Sequence, residues 1–304
     1  FYDIKTSMKC GFVAIIGRPN VGKSTLLNQI LEQKIVIATN KAQTTRKRIK
    51  GIYTVEDCQI VFVDTPGIHK PLNKLGEFLL DEAKVSVPDA DAVLFLVDAS
   101  TPAGKGDKWI VENVLSKTQI PVIMVLNKID KASPKKIDEN IKSYLDLYPN
   151  SVMTLRISAK TGKNKAKLVN AIKKYLPDGE MLYPEDVVTE ENMRSIVEEI
   201  VREKILLNTT DEIPHSVAVR VDEYKEDVDI DRIRASIYCE TKSQKGILIG
   251  KGGSLLKLIG TQARQDLEKI VEKKVFLGLQ VKIEKDWRKK DKFLKDFGYV
   301  SQDK

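Results

Sequence analysis

Residues 17–24 read Gly17-Arg18-Pro19-Asn20-Val21-Gly22-Lys23-Ser24, and this spacing, G-x-x-x-x-G-K-S, decides how the first half of the chain is read. An apolar run at 12–16 precedes it and an amphipathic pattern at 23–33 follows, so the glycines join a buried strand to a helix. Glycine at both ends lets successive backbone N–H groups turn inward, and the helix N-terminus adds the positive end of its dipole. That combination suits phosphate. Lys23 is expected to reach the outer phosphates of a nucleoside triphosphate and Ser24 to ligate Mg²⁺, with Gly17, Asn20, Val21, Gly22 and Thr25 completing the cradle. A plain glycine turn beside a surface lysine is the alternative, and the strand–loop–helix context argues against it.

Working outward, apolar runs at 60–63, 92–97, 122–126 and 152–157 alternate with helical patterns near 75–87, 106–117, 137–147 and 164–176. The alternation predicts an α/β domain with a mostly parallel sheet of six strands, covered on both faces. Residues 49–55 read as its edge strand, since Lys50 and Thr54 break the apolar pattern. Three loops after these runs carry chemistry. Asp64-Thr65-Pro66-Gly67 offers a carboxylate to the Mg²⁺ shell and the Gly67 N–H to a γ-phosphate. Asn127-Lys128-Ile129-Asp130 places a carboxylate, Asp130, where it can accept from the N1–H and N2 amino group of guanine. Adenine has neither donor, so a mismatched base would leave that acceptor unpaired. Asn127 and Lys128 would brace the loops, and Ser158-Ala159-Lys160 would present a backbone N–H to guanine O6.

The chain has 304 residues, more than one domain usually holds, and its 42% apolar and 31% charged content excludes a largely disordered protein. No run reaches the ~18–20 apolar residues of a spanning helix. The N-terminal stretch lacks the apolar core of a secretory signal. Three cysteines without paired spacing predict neither a disulfide framework nor a zinc site. The net charge of +8 is unevenly spread: 28 bases and 19 acids in residues 1–180, 7 and 16 in 181–241, 16 and 8 in 242–304. The acidic middle begins after Pro177, Asp178 and Gly179, so a domain boundary is expected within 177–190, giving domains of 8–180 and 190–296.

Beyond that boundary the order reads helix (190–207), two alternating strands (217–221 and 230–239), a short apolar piece (246–249), a long helix (254–273) and a third strand (277–283). Residues 249–253, Ile249-Gly250-Lys251-Gly252-Gly253, fall between two helical pieces. A G-x-x-G turn brings backbone against a nucleic-acid phosphate chain without Cβ obstruction, and Lys251 adds charge. A helix-terminating turn is the commoner meaning of such glycines, but the surrounding element order favours the hook. Lys245, Arg288 and Lys289 are candidate RNA contacts. The basic tail around Trp287 reads either as a phosphate-binding segment or as a solvated amphipathic helix, and Trp287 itself as a base-stacking or a core residue. Arg46, Lys47, Arg48 and Lys50 form another basic cluster, which would contact RNA or solvate a loop.

The four loops of the first half, in this order, resemble the translation-factor class of P-loop GTPases over residues 11–176. The phosphate loop and Gln43-Thr44-Thr45-Arg46 resemble the Era-type subgroup. The second half resembles a type II KH domain, and both halves together are similar to the Era family over about 11–296. The resemblance implies GTP and GDP as ligands with Mg²⁺, a switch-loop threonine on the metal (Thr44 or Thr45, between which the sequence does not choose), and Lys23 and Gly67 as catalytic groups. It links Asn20 to a K⁺ ion that stands in for a catalytic arginine. Many GTPases carry glutamine after Asp-x-x-Gly; here Ile68 stands there, implying slow intrinsic hydrolysis. His69 is a tempting substitute base, though a structural role in its loop is the simpler reading. As partners the resemblance implies the 3′ end of small-subunit rRNA and the small ribosomal subunit, whose assembly it would assist. It implies no DNA, a monomer, and a cytoplasmic location with partial association to the inner face of the plasma membrane. Two rivals remain open at this stage: a non-enzymatic RNA-binding scaffold stabilised by nucleotide, and a peripheral membrane signalling GTPase.

Overall fold

The structure is a computed structural model that describes residues 8–39, 46, 48–68, 74–210, 213–297 and 299. Thr44, Thr45, Lys47 and His69 lie outside the described residues. The described residues divide into two compact units whose main boundary in sequence falls between Glu190 and Glu191.

In the first unit, β1 (Met8–Ile16), β3 (Cys58–Asp64), β4 (Ala92–Asp98), β5 (Val122–Asn127) and β6 (Met153–Arg156) run parallel. The strand β2 (Ile49–Val55) pairs antiparallel with β3 at the edge, giving the order β2-β3-β1-β4-β5-β6. The six expected strands are joined by a seventh, β7 (Asp178–Gly179), two residues antiparallel to β1. Too short to show alternation, β7 leaves no periodic signal. The parallel strands read as continuous apolar runs because both faces are buried. One face packs Leu26, Leu27 and Ile30 of α1 (Lys23–Leu31) with Leu168, Val169 and Ile172 of α5 (Lys165–Lys173). The other packs Leu80 of α2 (Lys74–Val85), Ile110 of α3 (Lys105–Asn113), and Ile137, Ile141 and Tyr144 of α4 (Pro134–Leu147).

The β2 edge is covered by the chain that leaves this unit. Ile52 N–H donates to Val188 O at 2.9 Å and Thr189 Oγ1 donates to Lys50 O at 2.8 Å. Buried Gln59 accepts from the N–H of Leu182 and Tyr183 at 2.7 and 3.0 Å and donates to Tyr183 O at 2.9 Å. An open edge strand is thereby closed.

The second unit contains α6 (Met193–Asn208), the short α7 (Ile213–Ser216), β8 (Ala218–Lys225), β9 (Ile230–Cys239), α8 (Lys242–Ile249), α9 (Ser254–Val271), β10 (Lys274–Ile283) and α10 (Asp291–Asp296). Its sheet has the order β10-β9-β8, with β9 antiparallel to β8 and parallel to β10. A core of Val197, Ile200, Ile237, Ile259, Ala263 and Leu267 lies between sheet and helices. The short apolar piece at 246–249 belongs to α8. This helix begins at a capping box in which Thr241 Oγ1 accepts the Gln244 N–H and the Gln244 side chain accepts the Thr241 N–H.

The cysteines are free and buried, and among the described residues no helix is long and apolar enough to cross a membrane.

Candidate functional site

The loops expected to carry chemistry leave β1, β3, β5 and β6 at the carboxyl ends of the parallel strands, where ligands of such sheets bind. Register sets the alignment: Asp64 stands opposite Ile15 across β1 and β3, and Asn127 stands opposite Asp98 across β4 and β5.

The phosphate loop is shaped by close approach. A Cβ on Gly17 would meet Leu96 O at 2.3 Å. Gly22 caps α1 at φ 103°, and a Cβ there would meet Asn127 Nδ2 at 2.4 Å. Both features exclude an ordinary L side chain. Val21 is buried, Asn20 is exposed in the left-handed region at φ 65°, and Thr25 is half-buried in the first turn of α1. Lys23 is 6% exposed and its Nζ donates to Gly17 O at 3.3 Å and Arg18 O at 3.2 Å. Burial pulls its pKa down to about 8, the opposing pull of Asp64 being smaller. Arg18, which the motif leaves unspecified, anchors the loop by donating from Nε to buried Asp107 at 2.8 Å.

Ser24 Oγ donates to Asp64 Oδ2 at 2.8 Å, and both residues are buried. A hydroxyl and a carboxylate held together at the mouth of a phosphate loop are a fitting oxygen donor set for Mg²⁺. Gly67 packs on Pro19, and the N–H of Ile68 donates to Gly17 O at 3.1 Å. The Ile68 side chain is 1% exposed and belongs to the core cluster that also holds Ala14, Ile16 and Leu80.

The base-side loops are tied by Asn127, whose Nδ2 donates to Val21 O at 2.8 Å and whose Oδ1 accepts Ala159 N–H at 2.8 Å. Lys128, at φ 64°, donates from Nζ to Asn20 O at 2.5 Å and Asp98 Oδ2 at 2.6 Å. Exposed Asp130 accepts from Ser158 Oγ at 2.6 Å. Ala159 N–H is engaged by Asn127, and the next residue, Lys160, is exposed. The structure thus brings together Gly17, Asn20, Val21, Gly22, Lys23, Ser24, Thr25, Asp64, Gly67, Asn127, Lys128, Asp130, Ser158, Ala159 and Lys160. Asp98 and Asp107 escaped the sequence reading. Each is a lone carboxylate outside any motif, identifiable only by what it touches.

In the second unit Gly250 ends α8 at φ 72°, and a Cβ there would meet Leu255 N at 2.8 Å. Exposed Lys251 and Gly252, with Gly253, form the turn into α9. Beside it lies a groove of about 390 Å³ lined by Gly253, Leu256, Gly260, Arg264, Leu277 and Leu279. Lys245 is half-exposed on α8. Arg288 is paired with Glu240, and Lys289 lies 3.6 Å from Asp286.

Trp287 does not face a base. It is fully buried, donates from Nε1 to Ser216 O at 2.9 Å, and meets Phe297 edge-on. Of the cluster at 46–50, Arg46 is 1% exposed and Lys50 pairs with Glu190 at 3.0 Å.

Residues 12–128 match the 50S ribosome-binding GTPase family and residues 212–288 the KH domain family. Two solved structures are similar over nearly the whole chain. One is a single-site variant of Aquifex aeolicus Era bound to GDP·AlF4⁻; the other is Era in complex with MgGDPNP and nucleotides 1506–1542 of 16S ribosomal RNA. Each has 42% sequence identity and a TM-score of 0.93, covering 97% of this chain and 100% of its own.

Proposed function

The chain belongs to the Era family of GTPases, and from that premise we propose that it is a GTP-hydrolysing, RNA-binding switch. It binds the 3′ end of 16S rRNA and assists assembly of the small ribosomal subunit. The observation that carries this reading is the convergence of a phosphate loop, a Ser24–Asp64 pair and an Asn127-braced base loop on one sheet edge, followed in the same chain by a glycine hook.

The ligands are GTP and GDP with Mg²⁺. The loop N–H groups of residues 20–25 bind the phosphates, and Lys23 holds a positive charge against the β/γ oxygens. Ser24 and Asp64, with Thr44 or Thr45, are the residues that would hold Mg²⁺, which neutralises charge developing on the transferred phosphoryl group. Gly67 N–H orients the γ-phosphate. Asp130 reads guanine, with Lys128 against the ring and the Ser158–Lys160 loop at O6. Asn20 is assigned to a K⁺ site. With the Ile68 side chain turned into the core, nothing at that position orients the attacking water, and slow intrinsic turnover follows.

Residues 8–180 are assigned to the GTPase domain and 190–296 to a KH domain, whose hook (Gly250, Lys251, Gly252, Gly253), with Lys245 and Lys289, holds single-stranded RNA. Arg288, engaged by Glu240, would have to exchange that partner for phosphate. We place the protein in the cytoplasm as a monomer, with the family resemblance supporting peripheral contact with the plasma membrane. The test is multiple-turnover phosphate release from GTP against a Lys23→Ala control. Turnover above the control is expected; a scaffold would show none.

A further inference from the structure

Six lysines lie on or beside α5, at positions 160, 163, 165, 167, 173 and 174, and no carboxylate occurs between residues 158 and 177. Lys160 belongs to the base loop, and the other five fall into two sets. Lys165 pairs with Glu32 at 2.6 Å and Lys173 with Asp57 at 2.7 Å, so these two fasten the helix to its own unit. Lys163, Lys167 and Lys174 are exposed, and among the described residues none lies within 4.0 Å of a carboxylate. Lys163 stands in the turn that leads into α5, just before Asn164 at φ 65°, and Lys167 and Lys174, seven residues apart, fall on one side of the helix together with exposed Asn170. Leu168, Val169 and Ile172 face the core on the other. The helical part of the stripe, Lys167 to Lys174, spans about 10 Å at ~1.5 Å per residue. A protein that needed only solubility would intersperse both signs here.

We propose that this stripe is a second RNA-docking surface, which takes sugar–phosphate backbone without reading bases. The proposal rests on the RNA-binding reading above but adds a site on the GTPase unit that neither the hook nor the nucleotide loops include. Charge complementarity selects a polyanion. The composition of the face selects nucleic acid over a lipid surface: its exposed residues are Lys163, Ala166, Lys167, Asn170 and Lys174, with no large apolar side chain to enter a headgroup layer. No aromatic interrupts the stripe, so base stacking is excluded and backbone contact remains.

The test compares the full chain with K163Q/K167Q/K174Q and with the control K165Q/K173Q. Two probes are used: a folded 16S rRNA 3′ fragment, and a short single strand that only the hook can fill. Each phosphate contact contributes about 0.7–0.9 to the slope of log affinity against log salt, so the triple variant should lose roughly 2–3 from the folded-fragment slope. Its affinity for that fragment should fall roughly tenfold at physiological salt. GTP turnover and short-strand binding should be unchanged, and the control should behave as the parent. An unchanged slope, or equal losses in the control, overturns the proposal. So does loss of binding to phosphatidylserine vesicles with RNA affinity intact, which would assign the stripe to membrane. Gly252→Asp separates the two readings: if it leaves the short strand bound, the hook assignment fails, while the slope result for the stripe stands or falls by itself.

Discussion

Asn127 Oδ1 accepts the backbone N–H of Ala159 at 2.8 Å, joining two loops that lie 32 residues apart. Its Nδ2 reaches Val21 O from the same position, so one amide holds the phosphate loop and both base loops in register. Asn127→Ala would strand a buried donor and a buried acceptor, each costing roughly 1–3 kcal/mol. GDP affinity should fall by more than tenfold in a titration, with a lower melting temperature. Parent-like affinity would show that the loops hold their places without this amide.

Lys128 Nζ bridges Asn20 O and Asp98 Oδ2, both charged side chains being mostly buried. Burial alone would raise the Asp98 pKa, but hydrogen bonds from Lys128 and Ser100 outweigh it and hold it below the ordinary carboxylate value. Asp98→Ala removes this anchor without touching nucleotide. The expected result is a faster GDP off-rate by roughly tenfold, of the order of 1.4 kcal/mol, measured with a fluorescent GDP analogue.

Lys23 titrates near pH 8, against 10.5 for an ordinary lysine, because burial disfavours its charge. A lysine whose folded pKa is depressed binds fewer protons folded than unfolded between those two values. Stability of the nucleotide-free protein should therefore rise with pH from about 8 to about 10.5, and Lys23→Met should abolish that rise. Nucleotide phosphates restore the charge, so binding should take up a proton above pH 8 and weaken as pH climbs further. Calorimetry in buffers of different ionisation enthalpy reads the uptake; zero uptake at pH 9 would contradict the assignment of Lys23 to the phosphates.

Trp287 is a core residue of the second unit, held by Ser216 O and Phe297. Trp287→Ala should cost about 3–5 kcal/mol in that unit's unfolding. Trp287→Phe should recover most of the loss. A base-stacking tryptophan would behave in the opposite way, with stability kept and RNA affinity lost.

How much of this was legible in the sequence depends on what each residue's signal consisted of. Buried parallel strands announce themselves as apolar runs, and Ile49–Val55 was readable as an edge because Lys50 and Thr54 needed solvent on one side. The phosphate and base loops were readable because their residue types and spacing recur with the chemistry. Asp98 and Asp107 were not, since a lone carboxylate after a strand or in a helix acquires meaning only from Lys128 and Arg18 beside it. The helix α8 was legible only as its last turn, the apolar piece at 246–249, while its start is set by the capping box of Thr241 and Gln244, which carries no apolar periodicity. Helix periodicity likewise passed over Arg202, Glu203 and Lys204, buried in α6 where Arg202 pairs with Glu199 and Lys204 bridges Glu203 and Asp266. Two of these pairs are local to α6 and one, Lys204 to Asp266, reaches α9, so the buried charges are all partnered although they break the apolar pattern.

Nucleotide state is expected to govern RNA binding. GTP with Mg²⁺ and its hydrolysis are expected to set two states of the protein that differ in their affinity for RNA, as in proteins that switch around a γ-phosphate. The most direct measurement is the affinity of the full chain for a 16S rRNA 3′ fragment, titrated in parallel with a non-hydrolysable GTP analogue and with GDP at one salt concentration. A coupling of about 1–3 kcal/mol, five- to 150-fold tighter with the analogue, is predicted. Equal affinities in the two nucleotide states would contradict the account.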